Sequence, residues 1–175
     1  MSETSRRRAL KIRMILLDVD GVLTDGRILL GDDGVELKAF DVRDGHGIKL
    51  AQKADIEVGF LTSRKSSVVD RRAAELGVSL LFQQAADKGG VFRKILQARK
   101  IRREEVAYLG DDLVDLPVLR QVGLAGAVAD APLEVKAAAH WRAKSRGGRG
   151  AAREFIEFIL KAQGRWQEIV KELHG

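Results

Sequence analysis

Four short groups of residues carry side chains that could do chemistry. Asp18-Val19-Asp20-Gly21 sets two carboxylates two positions apart. On an extended chain such a pair points to one side. Carboxylates that close repel each other and require a cation or a shared proton. Gly110-Asp111-Asp112 adds further negative charge, Lys88 a fixed positive charge, and Thr62 a hydroxyl donor. A hard divalent ion with oxygen ligands resolves the repulsion, and Mg²⁺ suits carboxylates combined with phosphate. Carboxylates, a divalent ion, a lysine and a hydroxyl together match phosphoryl transfer, where charge lies on the equatorial oxygens.

Each group alone has a plainer use. Asp111 could cap a helix, Thr62 could belong to a turn, and Lys88 could be surface. A calcium loop at Asp18 fails, because glycine stands at the fourth position and Leu29, not glutamate, at the twelfth. What sets these residues apart is their place: Asp18/Asp20, Thr62 and Asp111/Asp112 each follow an apolar run that reads as a strand. In an open parallel sheet, ligands bind at the carboxyl ends of the strands.

The elements that must position them alternate strand and helix, which points to an α/β, Rossmann-like parallel sheet with helices on both faces. Ile12 to Leu17 is almost continuously apolar, as expected of a strand covered on both faces. Arg27 to Leu30 and Val35 to Phe40 flank Gly31-Asp32-Asp33-Gly34, which predicts a β-hairpin. Asp41 to Gly47 reads as a loop and Ile48 to Ala54 as a short helix. Further strands are expected at Glu57 to Leu61, Ser79 to Phe82, Val106 to Leu109 and Leu124 to Val128, with a possible edge strand at His140 to Ala143. Helices are expected from Ser66 or Ser67 to Leu76, after Lys88, from Leu113 to Val122, from Leu133 to Ala138, and as one long stretch from Ala151. Residues 1–10 read as a flexible arm and residues 11–175 as one domain. Residues 27–40 form its hairpin and 146–175 a tail and helix.

Composition narrows the class. Apolar residues make up 45% of the 175, enough for a core, while aromatics at 5% make that core aliphatic. The lack of cysteine excludes disulfides and thiolate-bound metal. No apolar run nears the roughly 20 residues of a membrane helix, and no signal core follows the basic N-terminus. A cytoplasmic protein that uses neither membrane nor nucleic acid is expected. The net charge of +6 instead suits an anionic small molecule, since Tyr108, Trp141 and Trp166 do not interleave with the basic clusters.

With Asp18-Val19-Asp20-Gly21-Val22-Leu23-Thr24-Asp25, then Thr62, Lys88 and Gly110-Asp111-Asp112-Leu113-Val114-Asp115, the chain resembles the haloacid dehalogenase-like phosphatase superfamily. The resemblance implies Asp18 as nucleophile, Asp20 as acid and then base, and Thr62 and Lys88 as holders of the phosphoryl group. It also implies Mg²⁺ on the Asp18 carboxylate, the Asp20 carbonyl and the Asp111 carboxylate, with Asp112 and Asp115 in support. The gaps between motifs are too short for an inserted lid domain, which needs roughly 50 residues. Only the hairpin stands in place of a cap, so neighbouring subunits are expected to cover the site.

Asp41 to Ile48, Thr62 to Ser66, Val106 to Val118 and Gly147 to Glu154 resemble more closely the lidless branch that contains the 3-deoxy-D-manno-octulosonate 8-phosphate phosphatases. That branch implies a Mg²⁺-dependent homotetramer in lipopolysaccharide precursor synthesis. It puts Asp20, Asp41, Val42, Arg43, Asp44, Gly45, Lys49, Arg64, Arg72, Lys88 and Arg149 against substrate. Lys49 stands where the branch has arginine and Ser63 where it has glycine. Arg43, Lys49, Arg64, Arg72 and Arg149 exceed what one phosphate needs, and a second anionic group such as a carboxylate accounts for them. The glycines around Arg149 suggest a mobile tail that closes over a site, a neighbour's in particular. The alternatives are a phosphatase for a nine-carbon keto-sugar phosphate and a catalytically idle interaction protein on the same scaffold.

Overall fold

The computed structural model describes residues 3–173. Its centre is β1 (Met14–Leu17), whose four residues are all buried. Only a strand covered on both faces tolerates such a run. Around it lie β4 (Glu57–Leu61), β5 (Leu80–Phe82), β6 (Val106–Gly110), β7 (Leu124–Ala127) and β8 (Trp141–Arg142), in the order β5-β4-β1-β6-β7-β8. Every neighbouring pair is parallel. The chain moves outward from β1 in both directions, which makes β1 the switch point where such sheets open a crevice. Leu17 lies level with Phe60 on one side and Leu109 on the other. Asp18, Thr62 and Asp111 therefore leave the sheet side by side.

Three helices matter most for the site. Helix α2 (Val42–Lys53) starts where a loop was expected. Asp41 is its N-cap and accepts a hydrogen bond from the Arg43 amide, which satisfies a free end of the helix. Gly45 and Gly47 read as loop residues, yet they are helical because neighbours crowd them. A Cβ on Gly47 would lie 3.2 Å from Arg153 Cα, and one on Gly45 would lie 2.4 Å from Arg72 Nη2. Gly47 lets α2 pack closely on α7 (Ala151–Ala162), whose Ala151, Ala152, Phe155, Ile156, Ile159 and Leu160 are buried, while Gly45 faces Arg72 and Leu76. Helix α4 (Lys88–Arg99) starts on Lys88, and its N-cap Asp87 accepts from the Gly90 amide.

The remaining helices are α1 (Glu3–Ala9), α3 (Ser67–Leu76), α5 (Leu116–Leu119), α6 (Leu133–Ala138) and α8 (Trp166–Leu173). Several depart from expectation. Residues 3–9 are a docked helix rather than a frayed arm. Ala9 is buried, Ser5 Oγ donates to the His140 carbonyl, and Arg8 donates to the Gly123 carbonyl. The hairpin is real but short, with only β2 (Leu29–Leu30) and β3 (Glu36–Leu37) paired. The segment after Asp112 begins as a 3-10 turn at Leu113–Asp115 before α5, because Asp112 and Asp115 spend their carboxylates on backbone amides. The last helix is broken between α7 and α8, where Gly164 takes φ +75°. Among the described residues no helix is long and apolar enough to cross a membrane.

The segment before α7 is not a loose tail. A Cβ on Gly147 would lie 1.7 Å from the Gly21 carbonyl oxygen, and one on Gly148 would lie 2.5 Å from the Asp25 amide nitrogen. The Gly148 amide donates to the Val22 carbonyl at 2.9 Å. Glycine is required here because backbone rests on backbone. The turn braces its own chain's loop after β1.

Candidate active site

Asp18, Asp111 and Asp115 bring carboxylate oxygens within 4.8 Å of one another. Asp18 follows β1 and is buried, and Asp111 follows β6 and is partly buried. Gly21, at φ +96°, makes the approach possible, since a Cβ there would strike Asp111 Oδ2 at 2.0 Å. Burial, and then the neighbouring carboxylate of Asp115, pushes Asp18 up to about 6. Burial, Asp18 and Asp115 push Asp111 up to about 9. Asp111 Oδ1 is buried and accepts no hydrogen bond among the described residues, and the buried Asp18 Oδ1 has only the Lys88 ammonium at 3.0 Å. Opposed carboxylates with so few donors make a set that fits a hard cation such as Mg²⁺.

Asp115 belongs to the cluster but is already committed. Its Oδ1 accepts from Lys88 Nζ at 2.6 Å and from Tyr108 Oη at 2.5 Å. Its Oδ2 accepts from the amides of Asp111 at 2.9 Å and Asp112 at 3.2 Å. Four donors fill a carboxylate's capacity, so Asp115 orients its neighbours and Asp18 and Asp111 are left for metal. Lys88, also buried, lies 3.0 Å from Asp18 Oδ1. Burial opposes its charge, while Asp18 and Asp115 favour it, and the net shift is upward. Thr62 is buried at the end of β4, where its hydroxyl accepts from the Arg64 amide at 3.4 Å. Asp112 is exposed and turned away, capping the Leu113 amide at 2.7 Å.

Asp20 points toward the hairpin. Its carboxylate pairs with Lys38 Nζ and lies 3.8 Å from Arg64 Nε. The Lys38 side chain is wholly buried in this contact. Glu36 accepts from Arg64 Nη2 at 3.2 Å and from the Ser66 hydroxyl; these bonds, the Ser66 one first, hold its carboxyl below the usual range despite burial. The hairpin is thus fastened across the rim by Glu36 and Lys38, which the sequence reading passed over. Nothing in the local pattern marks them, since Glu36-Leu37-Lys38 reads as an ordinary exposed edge. Tyr108 was also overlooked as a site residue. Its one signal is a hydroxyl in a strand buried on both faces, which needs a partner.

The remaining expected substrate residues divide. Arg43 and Arg149 meet at the α2–α7 junction, where Arg43 Nη2 donates to the Arg149 carbonyl at 3.4 Å and also pairs with Asp41 at 3.0 Å. Val42 beside them is 80% exposed. Asp44 is not on the open rim. It is buried and accepts from the amides of Gly150 at 3.2 Å and Arg153 at 2.7 Å, tying α2 to the start of α7. Its burial pushes it up to about 6. Gly45 gives room to Arg72, which pairs with Glu75 at 2.9 Å and stacks over Phe40. Lys49 lies on the solvent face of α2 with its Nζ against Gly77, the C-cap of α3, and so is away from the carboxylates. A cation suits a helix C-terminus.

An open parallel sheet that gathers two metal-hungry aspartates and a buried lysine at its switch point defines a haloacid dehalogenase-like hydrolase, and residues 80–155 match that family. The 3-deoxy-D-manno-octulosonate 8-phosphate phosphatase KdsC of Escherichia coli (strain K12) is 48% identical over 161 residues, 92% of this chain and 86% of that protein. The structure of the same phosphatase from Yersinia pestis aligns with a TM-score of 0.94 at 43% identity, covering 95% of this chain and 90% of that one. That from Moraxella catarrhalis, in complex with magnesium ion, phosphate ion and a KDO molecule, aligns with a TM-score of 0.97 at 35% identity over 99% of each chain. The chain belongs to the 3-deoxy-D-manno-octulosonate 8-phosphate phosphatase family.

Proposed function

We propose that this protein hydrolyses 3-deoxy-D-manno-octulosonate 8-phosphate to the free sugar acid and phosphate, in the cytoplasm, as a step toward lipopolysaccharide. The observation that carries the reading is the gathering of the Asp18 and Asp111 carboxylates, with Asp111 Oδ1 unpartnered among the described residues and Lys88 3.0 Å from Asp18. Mg²⁺ held by the carboxylates of Asp18 and Asp111 and the carbonyl of Asp20 would neutralise the site and draw charge from a phosphoryl oxygen.

The chain's own groups do the rest. Asp18 attacks phosphorus through a carboxylate oxygen, and the bond to the sugar oxygen breaks. Asp20 gives that oxygen its proton. Thr62 and Lys88 hold the equatorial oxygens as charge builds on them. Asp20, now a base, takes a proton from water, which attacks the aspartyl phosphate and releases phosphate and free Asp18. Arg64 and the Arg43–Arg149 pair supply guanidinium groups for the substrate carboxylate.

The hairpin covers little by itself. Leu29, Leu30 and Leu37 are 52%, 71% and 59% exposed. An apolar edge of this kind is buried by pairing, which supports a homotetramer whose subunits close each other's sites. Kinetics with Mg²⁺ on a panel of sugar-acid phosphates tests the reading. The eight-carbon acid phosphate should have the highest kcat/KM, and EDTA should abolish turnover reversibly. Preference for a nine-carbon keto-sugar phosphate would move the assignment to that substrate. No hydrolysis of any phosphate ester would make the chain an idle scaffold.

A further inference from the structure

Tyr108 is the middle residue of β6, lies level with Leu16 of β1, and is wholly buried. A phenol there must find a partner or lose a hydrogen bond it had in water. It finds two. Its hydroxyl donates to Asp115 Oδ1 at 2.5 Å and lies 3.3 Å from Lys88 Nζ, which donates to it. Three oxygens therefore lie around the Lys88 ammonium: Asp115 Oδ1 at 2.6 Å, Asp18 Oδ1 at 3.0 Å and Tyr108 Oη at 3.3 Å. An ammonium has three hydrogens and no acceptor, so this set fixes its direction.

The same hydroxyl decides what Asp115 can do. Asp115 Oδ2 is filled by two backbone amides, and Oδ1 by Lys88 and Tyr108. Without the phenol, Oδ1 would keep Lys88 as its single donor and have acceptor capacity to spare beside the cation site that its oxygens adjoin. Burial and the surrounding carboxylates push the phenol's own proton affinity up, so it remains a donor.

From this geometry we propose that Tyr108 is a positioning residue for phosphoryl transfer: it keeps Asp115 as a bridge and holds Lys88 against the Asp18 carboxylate. It touches neither substrate nor metal and acts only through those two side chains. The proposal rests on the phosphatase reading above. It predicts that Tyr108 contributes to the chemical step and little to substrate affinity.

Tyr108→Phe removes one oxygen and keeps the ring in its place. The test is steady-state and single-turnover hydrolysis by full-length protein with Mg²⁺, normalised to the folded fraction from a thermal melt. The expected result is a fall in kcat and in the single-turnover rate of about tenfold, the scale of one lost hydrogen bond to a charged group, with KM within about twofold. A purely structural role would lower the melting temperature and leave kcat per folded molecule unchanged, and that result overturns the proposal. So does a rise in KM with kcat intact. If wild-type protein itself hydrolyses no phosphate ester, the phosphatase reading fails, and the two failures are thereby told apart.

Discussion

Asp18 and Asp111 bring two negative charges to the buried ends of β1 and β6, and burial makes each reluctant to ionise. Their protonated forms stabilise the metal-free fold fully below the unfolded value of about 4. That contribution is lost as pH rises through about 6 for Asp18 and about 9 for Asp111. A divalent ion reverses the loss by pairing with the charged forms. The rise in melting temperature on adding Mg²⁺ should therefore be larger at pH 9 than at pH 5, as read by thermal denaturation with and without the ion. An equal shift at both values would mean that the ion binds elsewhere. At this scale the gathering of Asp18 and Asp111 was legible, because each follows an apolar run that ends abruptly in acid. Lys38 and Glu36 were not, because their roles come from the fold of the hairpin over the rim and leave no local mark.

At the scale of elements, the loop after β1 is held from behind by the turn before α7. Gly147 rests on the Gly21 carbonyl, and a methyl group there has no room. Gly147→Ala should push the loop that carries Asp18 and Asp20, costing about 1–3 kcal/mol of stability by overpacking and a larger share of kcat than of KM. Kinetics and denaturant unfolding of that variant check both. Unchanged values would show that the turn yields without consequence. This brace also explains why the glycines before α7 mislead when read alone. Their spacing suggests mobility, whereas the contact that requires them lies some 125 positions away in the chain. Gly45 and Gly47 mislead for the same reason, since glycine lowers local helix propensity while Arg72 and Leu76 crowd position 45 and the packing of α2 on α7 crowds position 47. The Asp41 cap was the local signal for that helix, three residues after Lys38 and directly ahead of Val42.

The strand order could be anticipated only in outline. Apolar runs and their helical partners gave a parallel sheet, and the carboxyl-end rule put Asp18, Thr62 and Asp111 together. The register that sets them side by side needed the structure. The hairpin edge is open to solvent, with Leu30 the most exposed of the hairpin's apolar residues. On the proposed mutual covering, Leu30→Asp should give a smaller species in a solution mass measurement and a lower kcat/KM. A fully active variant of reduced mass would refute mutual covering. The groups that make the chemistry all lie within one chain, so such a variant should keep some turnover of a small phosphate ester.

The account turns on phosphorus bonding to Asp18. Rapid quenching in acid of enzyme mixed with Mg²⁺ and substrate labelled in its phosphate, followed by peptide mapping, measures this directly. Label should appear transiently on the peptide that carries Asp18 and be absent from Asp18→Asn, which should also lose turnover. Label on another residue, or full turnover by Asp18→Asn, would contradict the account.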